Sequence, residues 1–340
     1  MKNSVLTIIA ARIEKSWYEN KWWNIWLLPL SALFFVLSHI RRLWLKHALT
    51  PVKYSKLPIV VIGNINLGGT GKTPLVCFLV EALAKKGVKV GIISRGYGSA
   101  APYYPYALAK NEEAVIVGDE PKLLRDRLNC PVVIGPDRNA AIKLLSQCDV
   151  DLILSDDGLQ HYKMHRDYEI VVLDQSRNLG SGWLLPAGPL REGAWRLEQV
   201  DAVIYNAPSA LAGSASMKIT PSAWVNAKTL ERKELGFFFN ENVHAVVGIG
   251  NPQRFFSTLD DLSVNYKRHV FSDHHGFIAS DLNVLENSSE QLVMTEKDWV
   301  KCVSFATESM WYLEVNAQLD SQFEKKLLND LVELSNAASS

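Results

Sequence analysis

Apolar residues along this chain fall into short unbroken runs separated by stretches of helical spacing. Ile59-Val60-Val61-Ile62 is such a run, and it ends in a glycine-rich turn. Leu75 to Lys86 then repeats apolar residues at three- and four-residue intervals, and Gly87 closes it as a helix C-cap. Val88–Ser94 predicts a second strand, followed by a loop at Arg95-Gly96-Tyr97-Gly98. Further strands are predicted at Ala114–Val117, Val132–Ile134, Leu152–Leu154, Ile170–Leu173 and Ala202–Tyr205, with helices at Lys122–Leu128 and Arg138–Ser146. Short buried strands alternating with helices predict an α/β fold, a doubly wound and mainly parallel sheet. Around Pro208–Ser222 the composition shifts to Ala, Ser, Gly and Pro, and a domain boundary is expected there. The pattern then restarts on a smaller scale. His244–Ile249 predicts a strand, Asn251-Pro252 an N-cap and first helical residue, Gln291–Met294 and Trp311–Val315 two strands, and Phe323–Leu334 a terminal amphipathic helix. The predicted organisation is a helical segment over 1–50, an α/β domain over 51–222 and a smaller α/β domain over 223–340, with a cleft between the last two.

The first segment has a different character. From Trp22 to Ile40 there is no Asp, Glu, Lys or Arg, and Lys21 and Arg41-Arg42 flank the stretch. That is about the minimum length for a spanning helix. Asn24, Ser31 and Ser38 recur every seven residues and so share one stripe, and Pro29 predicts a kink. Of ten tryptophans, Trp17, Trp22, Trp23, Trp26 and Trp44 lie in the first fifty residues. A narrow polar stripe, interfacial tryptophans and basic flanks predict a helix lying in or dipping into one leaflet of a membrane, more than a buried hairpin helix. A cleaved signal peptide is not expected, because Arg12, Glu14 and Lys15 follow the apolar Val5–Ala11 at once.

Formal net charge is zero over 340 residues, so no global basic field points to nucleic acid. The four cysteines (Cys77, Cys130, Cys148, Cys302) lie far apart, with no CxxC and no Cys/His pairing. Neither a zinc site nor a disulfide framework is expected, and most of the thiols are read as small core residues.

The strongest chemical signal is Gly68-Gly69-Thr70-Gly71-Lys72-Thr73, directly after one predicted strand and before a helix. Glycines there let backbone N–H groups surround phosphate oxygens at a helix N-terminus. Lys72 can reach the β- and γ-oxygens of ATP, and the Thr73 hydroxyl can ligate Mg²⁺. The first glycine of the usual GxxxxGK[ST] pattern is Asn66 here. A phosphate loop also needs an acidic metal site on a neighbouring strand. Leu152–Ser155 ends in Asp156-Asp157, which supplies paired carboxylates for Mg²⁺, either of which can touch the ion. His161, four residues on, fits a supporting or a plain loop role. A GTPase reading fails because the lysine of Thr295-Glu296-Lys297-Asp298 stands one place late, and a ParA-type reading fails because Leu67 occupies the signature lysine position.

At these residues the chain resembles the tetraacyldisaccharide 4'-kinase family of lipid A synthesis. Ile62-Gly63-Asn64 before the phosphate loop, Ser94–Gly98, Gly118-Asp119-Glu120-Pro121, Asp156–His161, Leu185–Glu192, Asp273-His274-His275 and Met294–Asp298 follow the family's order. The Asn66 departure belongs to the same pattern, whereas Gly193 stands where the resemblance implies proline. What the resemblance implies is an ATP-dependent phosphoryl transfer to a glycolipid, tetraacyldisaccharide 1-phosphate, by a P-loop kinase domain over 51–222. It implies an Asp–His dyad at Asp119 and His274, with His275 as the alternative histidine. From their chemistry Arg191 suits phosphate and Glu192 suits Mg²⁺ or Arg95, with a surface ion pair as the alternative, and Arg95 and Tyr97, on the carboxyl edge after the second strand, suit the lipid's sugar or phosphate. Glu296 and Lys297 are left between nucleotide contact and a domain-closing salt bridge. The implied location is the cytoplasmic face of the inner membrane, against membrane lipid. The reading from another class is a membrane-associated P-loop switch ATPase that acts by binding partners.

Overall fold

A computed structural model describes residues 12–19, 21–47, 55–207, 215–286 and 290–339. The apolar run Val5–Ala11 lies outside the described residues. The strands are β1 (Ile59–Gly63), β2 (Val90–Ser94), β3 (Tyr106–Ala107), β4 (Val132–Ile134), β5 (Leu152–Asp156), β6 (Tyr168–Asp174), β7 (Ala202–Asn206), β8 (Ser216–Asn226), β9 (Arg232–Lys233), β10 (Asn242–Val247), β11 (Asn265–Val270), β12 (Gln291–Thr295) and β13 (Met310–Leu319). They form one mixed, mostly parallel sheet in the order β11-β10-β12-β13-β8-β7-β6-β1-β5-β2-β4-β3, with β9 on β8. Helices cover it.

Strand β1 sits between β5 and β6 and is buried along its whole length. Its side chains alternate between two cores: Val60 and Ile62 pack on one face, Ile59 and Val61 on the other. The helix Lys72–Lys85 follows, burying Leu75, Val76, Leu79, Val80 and Leu83. It ends as the sequence predicts. Gly87 N donates to Ala84 O at 3.0 Å and Val88 N to Leu83 O at 3.1 Å, with Gly87 at φ +82°.

Four local expectations change. Ala114–Val117 is a helical turn, not a strand: Gly118 N closes onto Ala114 O at 2.7 Å, and Gly118 at φ +91° ends the turn. A four-residue apolar run fits either state. Asn251 makes no side-chain cap bond, although Pro252 does open the helix Pro252–Asp261. Edge strand β11 went unread because Asn265-Tyr266-Lys267-Arg268-His269-Val270 has no apolar run.

The fourth is β8. Residues 208–214 of the expected linker lie outside the described residues, but Ser216–Asn226 is a strand through which the 222 boundary passes. It pairs parallel with β7 and antiparallel with β13, so it joins the two halves of the sheet. Pro221 faces Val315 at a bulge in that ladder, where a missing N–H is tolerated.

The N-terminal segment carries a 3₁₀ helix at Trp22–Leu27 and an α-helix at Leu28–His47. Pro29 falls in the first turn of the α-helix, where its missing N–H breaks no bond. The stretch Trp22–Leu45 is long and apolar enough to cross a membrane, by length and composition. Its faces are inverted relative to a soluble helix. Trp22, Trp26, Leu33, Leu37, Ile40 and Trp44 point outward, while Asn24 and Ser31 are buried. Ser16 Oγ donates to Asn24 Oδ1 at 2.8 Å, and Asn24 Nδ2 donates back to Ser16 O at 3.0 Å. Ser31 Oγ donates to Leu184 O at 2.8 Å and accepts from Ala187 N at 3.0 Å. The polar stripe is thus the protein-facing seam. Trp17 differs from the other N-terminal tryptophans: it is buried, and its indole N–H donates to Pro186 O at 2.9 Å.

Candidate active site

Parallel strands end together at their carboxyl edge, and the loops beyond that edge build the site. Register pairs Ile62 with Asp156, so the end of β5 stands beside the start of the phosphate loop. Gly71 precedes the helix at φ +96°; a Cβ there would meet Asn206 Nδ2 at 2.7 Å and Ile219 Cδ1 at 2.8 Å. Only glycine combines that backbone with that approach. Asn206 Nδ2 in turn donates to Thr70 O at 3.0 Å.

Lys72 Nζ donates to Asn64 Oδ1 at 3.0 Å and lies 3.3 Å from Asp157 Oδ1. Asn64 is fully buried and braces the loop by donating to Asn66 O at 2.8 Å and Gly68 O at 3.3 Å. Gln160 Nε2 donates to Asn64 O at 3.1 Å and reaches Glu192 Oε2 at 3.4 Å. Asn64 and Gln160 were visible only as members of motifs; their buried bracing roles appear once β1 and the loop after β5 lie side by side.

The two aspartates differ sharply. Asp156 is buried and neither carboxylate oxygen has a hydrogen-bond partner. Burial, with the Glu120 charge adding to it, pushes its carboxyl up to about 7. Asp157 sits at φ +50°. Burial alone would raise its pKa, but the Lys72 and Arg191 cations outweigh it and hold it below the ordinary range. Arg191 Nη1 is 3.6 Å from Asp157 Oδ2. Glu192 accepts from the Tyr162 hydroxyl and faces Arg196 at 3.7 Å, so it does not pair with Arg95. His161 is held neutral: burial, then the Arg138 charge, lowers it to about 4. Arg138 itself is buried and donates to Asp156 O at 3.0 Å.

Across the cleft, Asp119 begins the helix Asp119–Arg127. Gly118 before it stands at φ +91°, and a Cβ there would strike Tyr97 O at 2.7 Å, which fixes the Tyr97 loop against this helix. His274 Nδ1 lies 3.2 Å from Asp119 Oδ2, bridging 155 positions of sequence. His274 adopts φ +58°, a strained conformation for a non-glycine residue and one that collects at functional sites. Tyr97 packs on its ring at 5.6 Å between centroids. The neighbouring His275 turns away to Asp281 Oδ2 at 2.9 Å. Glu296 and Lys297 make seam contacts: Lys297 Nζ reaches Glu120 Oε1 at 3.1 Å, and Arg127 reaches Glu296 Oε2 at 3.0 Å.

One cleft of about 1540 Å³ takes in both sides, including Lys72, Asp157, Arg95, Tyr97, Asp119 and His274. It continues to the N-terminal helix, where Phe34, Phe35 and Leu37 line it.

Residues 23–332 match the family model for tetraacyldisaccharide-1-P 4'-kinase. The chain belongs to the tetraacyldisaccharide 4'-kinase family. Among its relatives, the tetraacyldisaccharide 4'-kinase of Legionella pneumophila is 45% identical over 92% of this chain and 94% of its own length. The enzyme of Tolumonas auensis is 44% identical over 96% and 99%, and that of Haemophilus influenzae 47% over 89% and 91%. The crystal structure of LpxK from Aquifex aeolicus in complex with ATP superimposes with a TM-score of 0.75 at 26% identity, covering 92% of this chain and 99% of that one. The chain is therefore an ATP-using kinase of lipid A biosynthesis on a P-loop α/β scaffold. For this 4'-kinase the orphaned carboxylate of Asp156 is the feature that fits a divalent cation: an acid buried without donors needs a positive partner.

Proposed function

We propose that this 4'-kinase transfers the γ-phosphoryl group of ATP to the 4'-hydroxyl of a tetraacylated glucosamine disaccharide 1-phosphate, giving lipid IVA and ADP. The observation that carries the reading is the facing of Lys72 and the Asp119–His274 pair across one cleft. A sugar hydroxyl is a weak nucleophile, so the transfer needs a base at that hydroxyl and fixed positive charge at the phosphoryl group.

In this reading the backbone of Gly68, Gly69, Thr70, Gly71, Lys72 and Thr73 cradles the phosphates, and the Lys72 ammonium holds the β- and γ-oxygens. Asp119 accepts the hydroxyl proton as the new O–P bond forms and the bond to ADP breaks. His274 orients that carboxylate and shares the proton. Arg95, Tyr97 and Arg191 contact the acceptor's sugar and phosphate. Thr73, Asp156 and Asp157 would hold Mg²⁺, which offsets the charge on the transferring group. Glu192 supports this set through Gln160 and Tyr162. The outward apolar face of residues 22–45 holds the enzyme to the inner membrane at its cytoplasmic face, where ATP and the glycolipid meet. Residues 51–222 act as the nucleotide half and 223–340 as the half that brings His274.

The test is direct: purified enzyme, ATP and Mg²⁺ with tetraacyldisaccharide 1-phosphate in mixed micelles, read by product mass. A gain of one phosphoryl group on the distal sugar is expected. ATP hydrolysis that ignores the glycolipid and rises with a protein partner instead supports the switch ATPase.

A further inference from the structure

Beyond the groups assigned above, one buried cation lies beside the Asp119–His274 pair, 4.0 Å from the Asp119 carboxylate. Lys301 has a side chain only 4% exposed. Its Nζ lies 2.8 Å from Asp298 Oδ1, 3.3 Å from Gly248 O and 4.0 Å from Asp119 Oδ2. The Phe277 ring flanks the ammonium at 5.2 Å. The same Gly248 carbonyl accepts from His274 N at 3.2 Å, and Gly248 N donates to Asp298 Oδ2 at 3.1 Å. Asp298 is fully buried and also accepts from Thr295 Oγ1 at 2.8 Å. One frame thus holds the histidine through its backbone and the aspartate through charge.

We propose that Lys301 is a positioning residue for phosphoryl transfer: its ammonium, held by Asp298 and the Gly248 carbonyl, keeps Asp119 aimed at the acceptor hydroxyl. This rests on Asp119 being the base. His274 Nδ1 and Lys301 Nζ lie 3.2 Å and 4.0 Å from Asp119 Oδ2, and Lys297 also acts on Asp119 through charge. Lys297 is paired with Glu120 at 3.1 Å. The ammonium of Lys301 has two of its three donors on Asp298 and Gly248, and the Asp119 carboxylate is the next charge, at 4.0 Å. Little solvent lies between them to screen the pair.

The experiment is the separate measurement of kcat and KM for ATP in Lys301→Met and in the double variant Lys301→Met/Asp298→Asn. The double variant removes both members of the buried ion pair, so it leaves no lone charge to unfold the core. With the ammonium gone, the Asp119 carboxylate loses the charged group beside it that fixes its direction. Turnover at neutral pH should fall about tenfold or more while KM for ATP stays within about twofold. Lys301→Arg should restore most of the lost turnover. Unchanged kcat in the double variant, with Asp119→Asn still inactive, overturns the proposal and leaves Lys301 a packing residue. Turnover persisting in Asp119→Asn would instead remove the base assignment, and this inference with it.

Discussion

The Arg127 guanidinium meets the Glu296 carboxylate at 3.0 Å across the seam between the two halves of the sheet, and both side chains are about nine-tenths buried. Arg127 also donates to Val315 O at 2.9 Å and to the Asn316 side chain, so it grips β13 at its bulge. Removing Arg127 leaves the Glu296 carboxylate buried alone, and removing Glu296 leaves Arg127 with only the more exposed Glu81 carboxylate at 3.7 Å. Glu296→Ala or Arg127→Ala should cost about 3–5 kcal/mol, whereas Arg127→Met/Glu296→Met should cost clearly less. Urea unfolding of the three variants checks this, and equal losses in all three would refute it.

At the phosphate loop, Lys72→Ala should lower turnover by about 10²–10³-fold, because the charge it supplies belongs to the transition state. Gly71→Ala should be nearly as damaging, since φ +96° and the 2.7 Å approach to Asn206 both exclude a Cβ. Gly69→Ala, whose Cβ would meet nothing within 4 Å, should keep most of the activity. Steady-state kinetics and ATP binding separate the three.

Asp119→Asn and His274→Ala should each lower kcat about 10²–10⁴-fold with little change in KM for ATP. Acting as one unit, they should not multiply: the double variant should be little worse than the poorer single one. His275→Ala, which breaks the contact to Asp281 and the ring packing on Phe271 and Phe277 but none to Asp119, should remain within a few-fold of wild type. Independent, multiplying losses in the double variant would show that the two residues do separate jobs.

The Asp156 carboxyl is pushed up to about 7 by burial, so near neutrality it holds part of a proton that Mg²⁺ must displace. Apparent affinity for Mg²⁺ in the presence of ATP should therefore rise from pH 6 to pH 8, with proton release on binding. Asp156→Asn should abolish that dependence. Calorimetry in two buffers of different ionisation enthalpy measures the proton directly. The stability linkage has the opposite sign: the raised carboxyl favours the folded state at low pH, and that contribution is lost as pH rises through about 7.

Several parts of this architecture could be read from the chain and others could not, for physical reasons. Strand β1 and the phosphate loop are legible because a wholly buried parallel strand must be an apolar run, and the loop must be glycine-rich. Strand β8 is opaque because Ser216-Met217-Lys218-Ile219-Thr220-Pro221 carries polar residues and a proline, and long-range pairing with β13 overrides that local signal. The pairing of Asp119 with His274 across 155 positions has no local signature, so only the resemblance to a family implied it. The stripe Asn24–Ser31 was legible as a stripe but not in direction. Heptad spacing says that the residues share a face and is silent about what that face touches.

That direction changes what the N-terminal helix does. Ser31 satisfies both the Leu184 carbonyl and the Ala187 amide, and Trp17 satisfies the Pro186 carbonyl, in the loop that leads directly to Arg191 and Glu192. The helix is therefore a splint for the reaction centre as well as a mooring. Cutting away residues 1–40 would strip hydrogen-bond partners from three backbone groups at once, and lost activity in such a truncation would say nothing about membranes. Exchanging the outward Leu33, Val36 and Ile40 for glutamate leaves every one of those bonds in place. Such a protein should leave vesicles for the supernatant while still phosphorylating a detergent-dispersed acceptor, which separates where the enzyme lives from how it works.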